Sequence, residues 1–129
     1  MKAIFIELPH FERHREQHLD DESYRLLQNE LIENPAKGAL IKGLGGLRKI
    51  RVANTGRGKG KRGGSRVIYY WFVDSAHFVM FSIYGKEVQD DLTSEQRKQF
   101  IKLLSKLKEN DYEINIDWRR YYKERDLYL

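Results

Sequence analysis

Two aromatic, β-branched runs, Arg66–Val73 (RVIYYWFV) and Phe78–Tyr84 (FVMFSIY), stand only four residues apart, across Asp74-Ser75-Ala76-His77. Such residues fit a pleated, half-buried surface. The link is far too short for a crossover, so the two predict an antiparallel hairpin around which the rest of the chain must be arranged. Leu47–Ala53 is a third strand candidate, and Ala3–Leu8 alternates as a first strand would. Pro9 can open a short helix, because a first helical position does not use its N–H. Asp20 or Asp21 looks like the cap of a second helix, in which Tyr24, Leu27 and Leu31 recur at helical spacing until Asn34-Pro35 stops it. Thr93-Ser94-Glu95-Gln96 reads as a capping box. The helix it opens puts Phe100, Leu103, Leu104 and Leu107 on one face and Lys102 and Lys106 on the other, and Asn110-Asp111 ends it. The order β-α-α-β-β-β-α predicts an α+β domain. Its sheet is small and antiparallel-rich, with helices on one face and the other face partly open.

Charge is distributed as unevenly as the apolar residues. Between Glu33 and Asp74 there are ten Lys or Arg and no acid, leaving 14 basic against 19 acidic residues elsewhere. The net charge of +5 is thus +10 in one stretch and −5 in the rest. A segregated positive field suits a polyanion, whose neutralised phosphates release condensed counterions. Nucleic acid or a ribonucleoprotein is the expected partner.

Within that block, the two-residue period of Leu47-Arg48-Lys49-Ile50-Arg51-Val52 places Ile50 and Val52 on one face and Lys49 and Arg51 on the other. The following Gly56–Gly64 segment contains Arg57, Lys59, Lys61 and Arg62. Gly58, Gly60 and Gly63 match G-x-G-x-x-G only formally, because a strand and not a helix follows. Gly60-Lys61 is followed by Arg62, so there is no Walker sequence. A cationic arm reaching for phosphates is the better reading.

Other classes fall away. The chain's 129 residues fit one domain. No apolar run approaches the ~20 residues of a membrane span, and the opening MKAIFIELPHFERH is not a signal peptide. With no Cys there is neither a disulfide framework nor a thiolate metal site, in keeping with a cytoplasmic location. His10, His14 and His18 lie at i, i+4 and i+8, but nothing else resembles a ligand set, so surface histidines and no metal are expected. His77 falls in the hairpin turn, where no chemical role is expected.

Taken together, GGLRKIRVA, the basic glycine arm, GGSRVIYYWFV and FSIYGKEVQDDLTSEQRKQ resemble the RelE/HigB superfamily of bacterial type II toxins, in particular its HigB-type branch. The likeness runs from about residue 1 to residue 108. Residues 109–129 lie beyond it and form an extension, whose Trp118, Tyr121 and Tyr122 suggest a docked helix from about Asp117. The resemblance implies a small sheet packed by helices and ribosome-dependent endoribonuclease activity on mRNA. It also implies a cognate antitoxin, often carrying a helix-turn-helix domain, and no cofactor.

Residue by residue, Lys49 and Arg51 match two basic positions of the family's central strand. Arg66 matches the arginine opening the next strand, and Gly85-Lys86 the glycine-basic turn after the last. This chain has Glu87 where related toxins place an arginine, and Asp90-Asp91 where they place a catalytic tyrosine. The general acid is therefore left among Lys86, Tyr84 and the glycine arm. Metal-independent cleavage, in which the 2′-OH attacks the neighbouring phosphate, fits this inventory. Lys49 is the candidate base, its charged form disfavoured by nearby Arg51 and Arg66. Arg51 and Arg66 would neutralise the developing phosphate charge. Arg48 and the arm residues Arg57, Lys59, Lys61 and Arg62 would bind RNA or the ribosome. Two alternatives use the same cations without cleavage: a toxin of this fold that poisons DNA gyrase, and a plain RNA- or DNA-binding module.

Overall fold

A computed structural model describes residues 3–53, 64–72, 76–86 and 91–111. The elements in chain order are β1 (Ile4–Glu7), α1 (Pro9–His18), α2 (Asp21–Glu33), β2 (Ala39–Leu40), β3 (Arg48–Val52), β4 (Ser65–Phe72), β5 (His77–Gly85) and α3 (Ser94–Asp111). The five strands form one sheet in the order β1-β5-β4-β3-β2. The hairpin of β4 and β5 is its centre, running antiparallel from Phe72↔His77 to Ser65↔Gly85. β1 joins β5 in parallel, and β3 and β2 continue the sheet antiparallel on the other side. His77 is therefore the first residue of β5, opposite both Phe72 and Ile4, and not part of the turn.

The helix boundaries follow local chemistry. Pro9 occupies the first turn of α1. Asp20 caps α2 by accepting from the Ser23 N–H at 2.7 Å, which holds its carboxyl below the usual carboxylate range. Asn34 ends α2 ahead of Pro35. At α3 the Gln96 N–H donates to Thr93 Oγ1 (3.1 Å) and the Thr93 N–H to Gln96 Oε1 (2.9 Å), the reciprocal pair of a capping box.

Two apolar layers sandwich the sheet. On the first face, Phe11, Leu19, Tyr24, Leu27 and Leu31 of the α1–α2 unit pack on Phe5, Ile50, Val67, Tyr69 and Phe78. Arg15 ties the two helices together, donating to Asp21 Oδ1 (2.9 Å) and the Leu19 carbonyl (3.1 Å). On the second face, Leu104 and Leu107 of α3 join Leu44, Leu47, Ile68, Phe72, Val79 and Phe81. The α+β class agrees with the sequence, as does the element order apart from the added two-residue strand β2. The expectation that all helices share one face does not hold, because α3 crosses to the second. Leu104 and Leu107 required an apolar surface, and the alternate residues of β4 and β5 supply one there.

Gly38 permits a close approach that fixes the sheet's far edge. A Cβ at this position would lie 2.8 Å from the Tyr69 ring and 3.1 Å from the Lys49 carbonyl oxygen. Its N–H donates to the Tyr69 hydroxyl, which in turn donates to the Pro35 carbonyl at 2.8 Å.

Candidate nucleic-acid interface

The second face changes character along the strands. Read from one end of β4, its residues are Phe72, Tyr70, Ile68 and then Arg66: apolar surface gives way to a cation. In register, Arg66 stands directly opposite Arg51 of β3 on one side and Tyr84 of β5 on the other. Lys49, two residues before Arg51, stands opposite Ile68 and shares this face. Lys49, Arg51, Arg66 and Tyr84 are thus brought together by strand pairing. Arg66 is not a surface residue, being 2% exposed, while Arg51 is exposed. Like charges directly opposite on neighbouring strands repel, and a phosphate arriving between them would relieve that repulsion. Chemically, the arrangement can bind a phosphodiester and stabilise added negative charge on it.

Lys49 faces an anion as well as its cationic neighbours. Its Nζ lies 3.8 Å from Asp91 Oδ1, and the other oxygen of that carboxylate lies 3.3 Å from Arg97 Nη2. The Leu92 N–H donates to Asp91 Oδ1 at 2.7 Å. That backbone bond, then the charges of Lys49 and Arg97, hold the Asp91 carboxyl below its usual range. Asp91 comes from the segment ahead of α3, and the helix carries Arg97, so neither could be placed beside Lys49 by strand periodicity. Arg97 is a cation of this region that the strand pattern did not single out.

The remaining sequence candidates divide. Arg48, adjacent to Lys49, points to the first face: its Nη1 donates to the carbonyls of Ala36 (3.1 Å) and Gly38 (2.7 Å), fastening the α2–β2 connection. Lys86 is exposed just beyond β5, its N–H bonded to the Gly64 carbonyl at the end of the sheet that carries Arg51 and Arg66. The Tyr84 hydroxyl oxygen is buried. Arg57, Lys59, Lys61 and Arg62, together with Glu87, Asp90 and the extension from residue 112, lie outside the described residues.

The histidines are not incidental surface groups. His18 is buried, with Nδ1 2.8 Å from Ser65 Oγ. His10 Nδ1 lies 3.1 Å from Ser82 Oγ, and the His10 and His14 rings are 4.6 Å apart. Partial burial, then the neighbouring His14, Arg13 and His18, push the His10 pKa below 6.5. Their i, i+4, i+8 spacing signalled a shared face, but what covers that face depends on how α1 docks on the sheet. Among the described residues no cluster of His, Cys, Asp and Glu could hold a metal ion, and no helix is long and apolar enough to cross a membrane.

No family model matches the sequence. Among solved structures, the chain is similar to a double mutant of the E. coli toxin RelE in the free state, with 16% identity and a TM-score of 0.47 over 70% of this chain and 90% of that one.

Proposed function

We propose that this chain is the toxin of a type II toxin–antitoxin pair, of the RelE/HigB kind, and cleaves mRNA on the ribosome without a metal. The observation that carries this reading is the cross-strand opposition of Arg51 and Arg66, flanked on the same face by Lys49. In the proposed reaction the RNA 2′-oxygen attacks the adjacent phosphorus as Lys49 takes its proton, once Asp91 has moved off the amine. Arg51 and Arg66 stabilise the phosphorane. The P–O5′ bond then breaks, leaving a 2′,3′-cyclic phosphate, and the 5′-oxygen receives a proton from Lys86. Lys86 is assigned this step because it is exposed at the end of the sheet that carries Arg51 and Arg66.

Arg57, Lys59, Lys61 and Arg62 are assigned to phosphates of the ribosome or message. The partners are ribosome-bound mRNA and an antitoxin with a helix-turn-helix domain. Residues 1–108 are assigned to the toxin domain, and 109–129 to an extension beyond it. The proposed site of action is the cytoplasm.

Primer extension on translating ribosomes incubated with the protein tests this reading, and new 5′ ends inside the decoding site are expected. A second reading draws on the Lys49–Asp91 ion pair, since a lysine whose amine is engaged by a carboxylate suits phosphate binding without proton transfer. Intact message together with inhibited gyrase supercoiling would select the gyrase-poison form of that reading. Intact message with salt-sensitive RNA binding would select a plain binding module.

A further inference from the structure

β1 stops pairing with β5 at Met80, and α1 packs along the remainder of that strand. A cleft of about 250 Å³ opens there, lined by His10, His14, Gln17 and His18 of α1, Tyr84 of β5 and Gln96 of α3. Two of its imidazoles are anchored through Nδ1, His10 on Ser82 and His18 on Ser65. The His10 and His14 rings meet at 51°. Among the described residues, no Lys, Arg, Asp or Glu lines the cleft. A phosphate would call for formal cations, and no ligand set for a metal is present among the described residues. Aromatic faces beside amide groups are instead the surface on which an unstacked nucleobase is received.

Position strengthens the case. Tyr84 is opposite Arg66 and Arg66 opposite Arg51, so at ~4.8 Å per strand the cleft begins about 10 Å from Arg51. That is within reach of the neighbouring nucleotide of a strand whose phosphate rests on the arginines. We propose that the cleft is a base-binding subsite, taking the splayed-out base of a nucleotide adjacent to the phosphate held by Arg51 and Arg66. The inference rests on the RNA-cleaving reading for its substrate. His14 supplies the stacking ring and the Gln17 amide a hydrogen-bonding group at the base edge. The cleft then contributes sequence preference, which the arginines, as phosphate contacts, do not.

The test is an NMR titration of the intact protein with each of the four nucleoside 5′-monophosphates, and with ribose 5-phosphate as the base-free control, following the imidazole signals. Saturable shifts at His10 and His14 are expected with nucleotides, differing among the four bases and missing with ribose 5-phosphate. His14→Ala should weaken binding by about tenfold, and His14→Phe should restore most of it. Equal shifts from ribose 5-phosphate would overturn the proposal in favour of an anion site. Absent shifts, or an unaffected His14→Ala, would overturn it outright. Binding without cleavage on ribosomes would remove the nuclease reading and leave the subsite. Cleavage without binding would do the reverse.

Discussion

The two faces of the sheet are built from the same strands and made to different ends. The α1–α2 face is filled by interlocked aromatics: Phe5 stacks on Phe78 with ring centroids 4.8 Å apart, and Tyr69 and Tyr24 close the layer. The α3 face begins in the same way with Ile68, Val79 and Phe81 but ends in Arg66, with Arg51 and Lys49 beside it. Arg48 and Lys49 show how sharp the division is. They are neighbours in sequence, yet one fastens backbone carbonyls on the first face and the other meets Asp91 on the second. A two-residue period therefore decides whether a cation is structural or available to a ligand. Composition alone could not make that distinction.

The largest effect that would break this comparison is on the first face. Phe78→Ala removes a fully buried ring and should cost about 3–5 kcal/mol, read as a lower midpoint in urea unfolding. A loss comparable to that of a surface substitution would mean that the first face is not the stability core. Arg48→Ala should cost about 1 kcal/mol, since the carbonyls of Ala36 and Gly38 lose their donor, with little effect on RNA affinity. If it weakened RNA binding as much as Arg51→Ala, the faces would not be functionally separate.

Asp91→Asn acts on the second face and should change stability by no more than about 0.5 kcal/mol, because the pair is half exposed. Releasing Lys49 and Arg97 from the carboxylate should tighten RNA binding. It should also steepen the slope of log K against log salt, by up to ~0.7 per freed cation on single strands. An unchanged slope would show that Asp91 does not compete with phosphate.

The smallest effect is a pH dependence from the α1 flank. The folded protein lowers the His10 pKa beneath 6.5, so between that lowered value and 6.5 the unfolded chain binds more protons. Stability should therefore fall as pH drops through this window and level off below it. His10→Gln should flatten the thermal-melting profile between about pH 7.5 and pH 5. A profile identical to that of the unsubstituted protein would remove His10 as its source.

Much of this architecture was legible in the sequence, for physical reasons that differ by element. The β4–β5 hairpin, the Asp20 cap and the Thr93–Gln96 box rest on local chemistry, and each lies within a residue or so of its predicted place. β2 was not legible, because two exposed residues, Ala39 and Leu40, carry no period. The apolar stripe of α3 was visible, but not which sheet face it would cover, since that depends on tertiary packing. The same limit applied to the site. The facing of Lys49 and Arg51 follows from alternation. Asp91 and Arg97 reach the site from another part of the chain, and the histidine cleft exists only once α1 lies against β5.

The central claim is that the Lys49–Arg51–Arg66 face performs the chemistry and the opposite face does not. Its most direct test is the single-turnover cleavage rate of ribosome-bound message for Arg51→Ala and Arg48→Ala, both shown to be folded at the assay temperature. The two arginines share one strand and differ in the face they serve. Losing a transition-state donor should slow Arg51→Ala by about 10²–10³-fold, while Arg48→Ala should cut at close to the unsubstituted rate. Equal losses in both, or an undiminished rate for Arg51→Ala, would contradict the account.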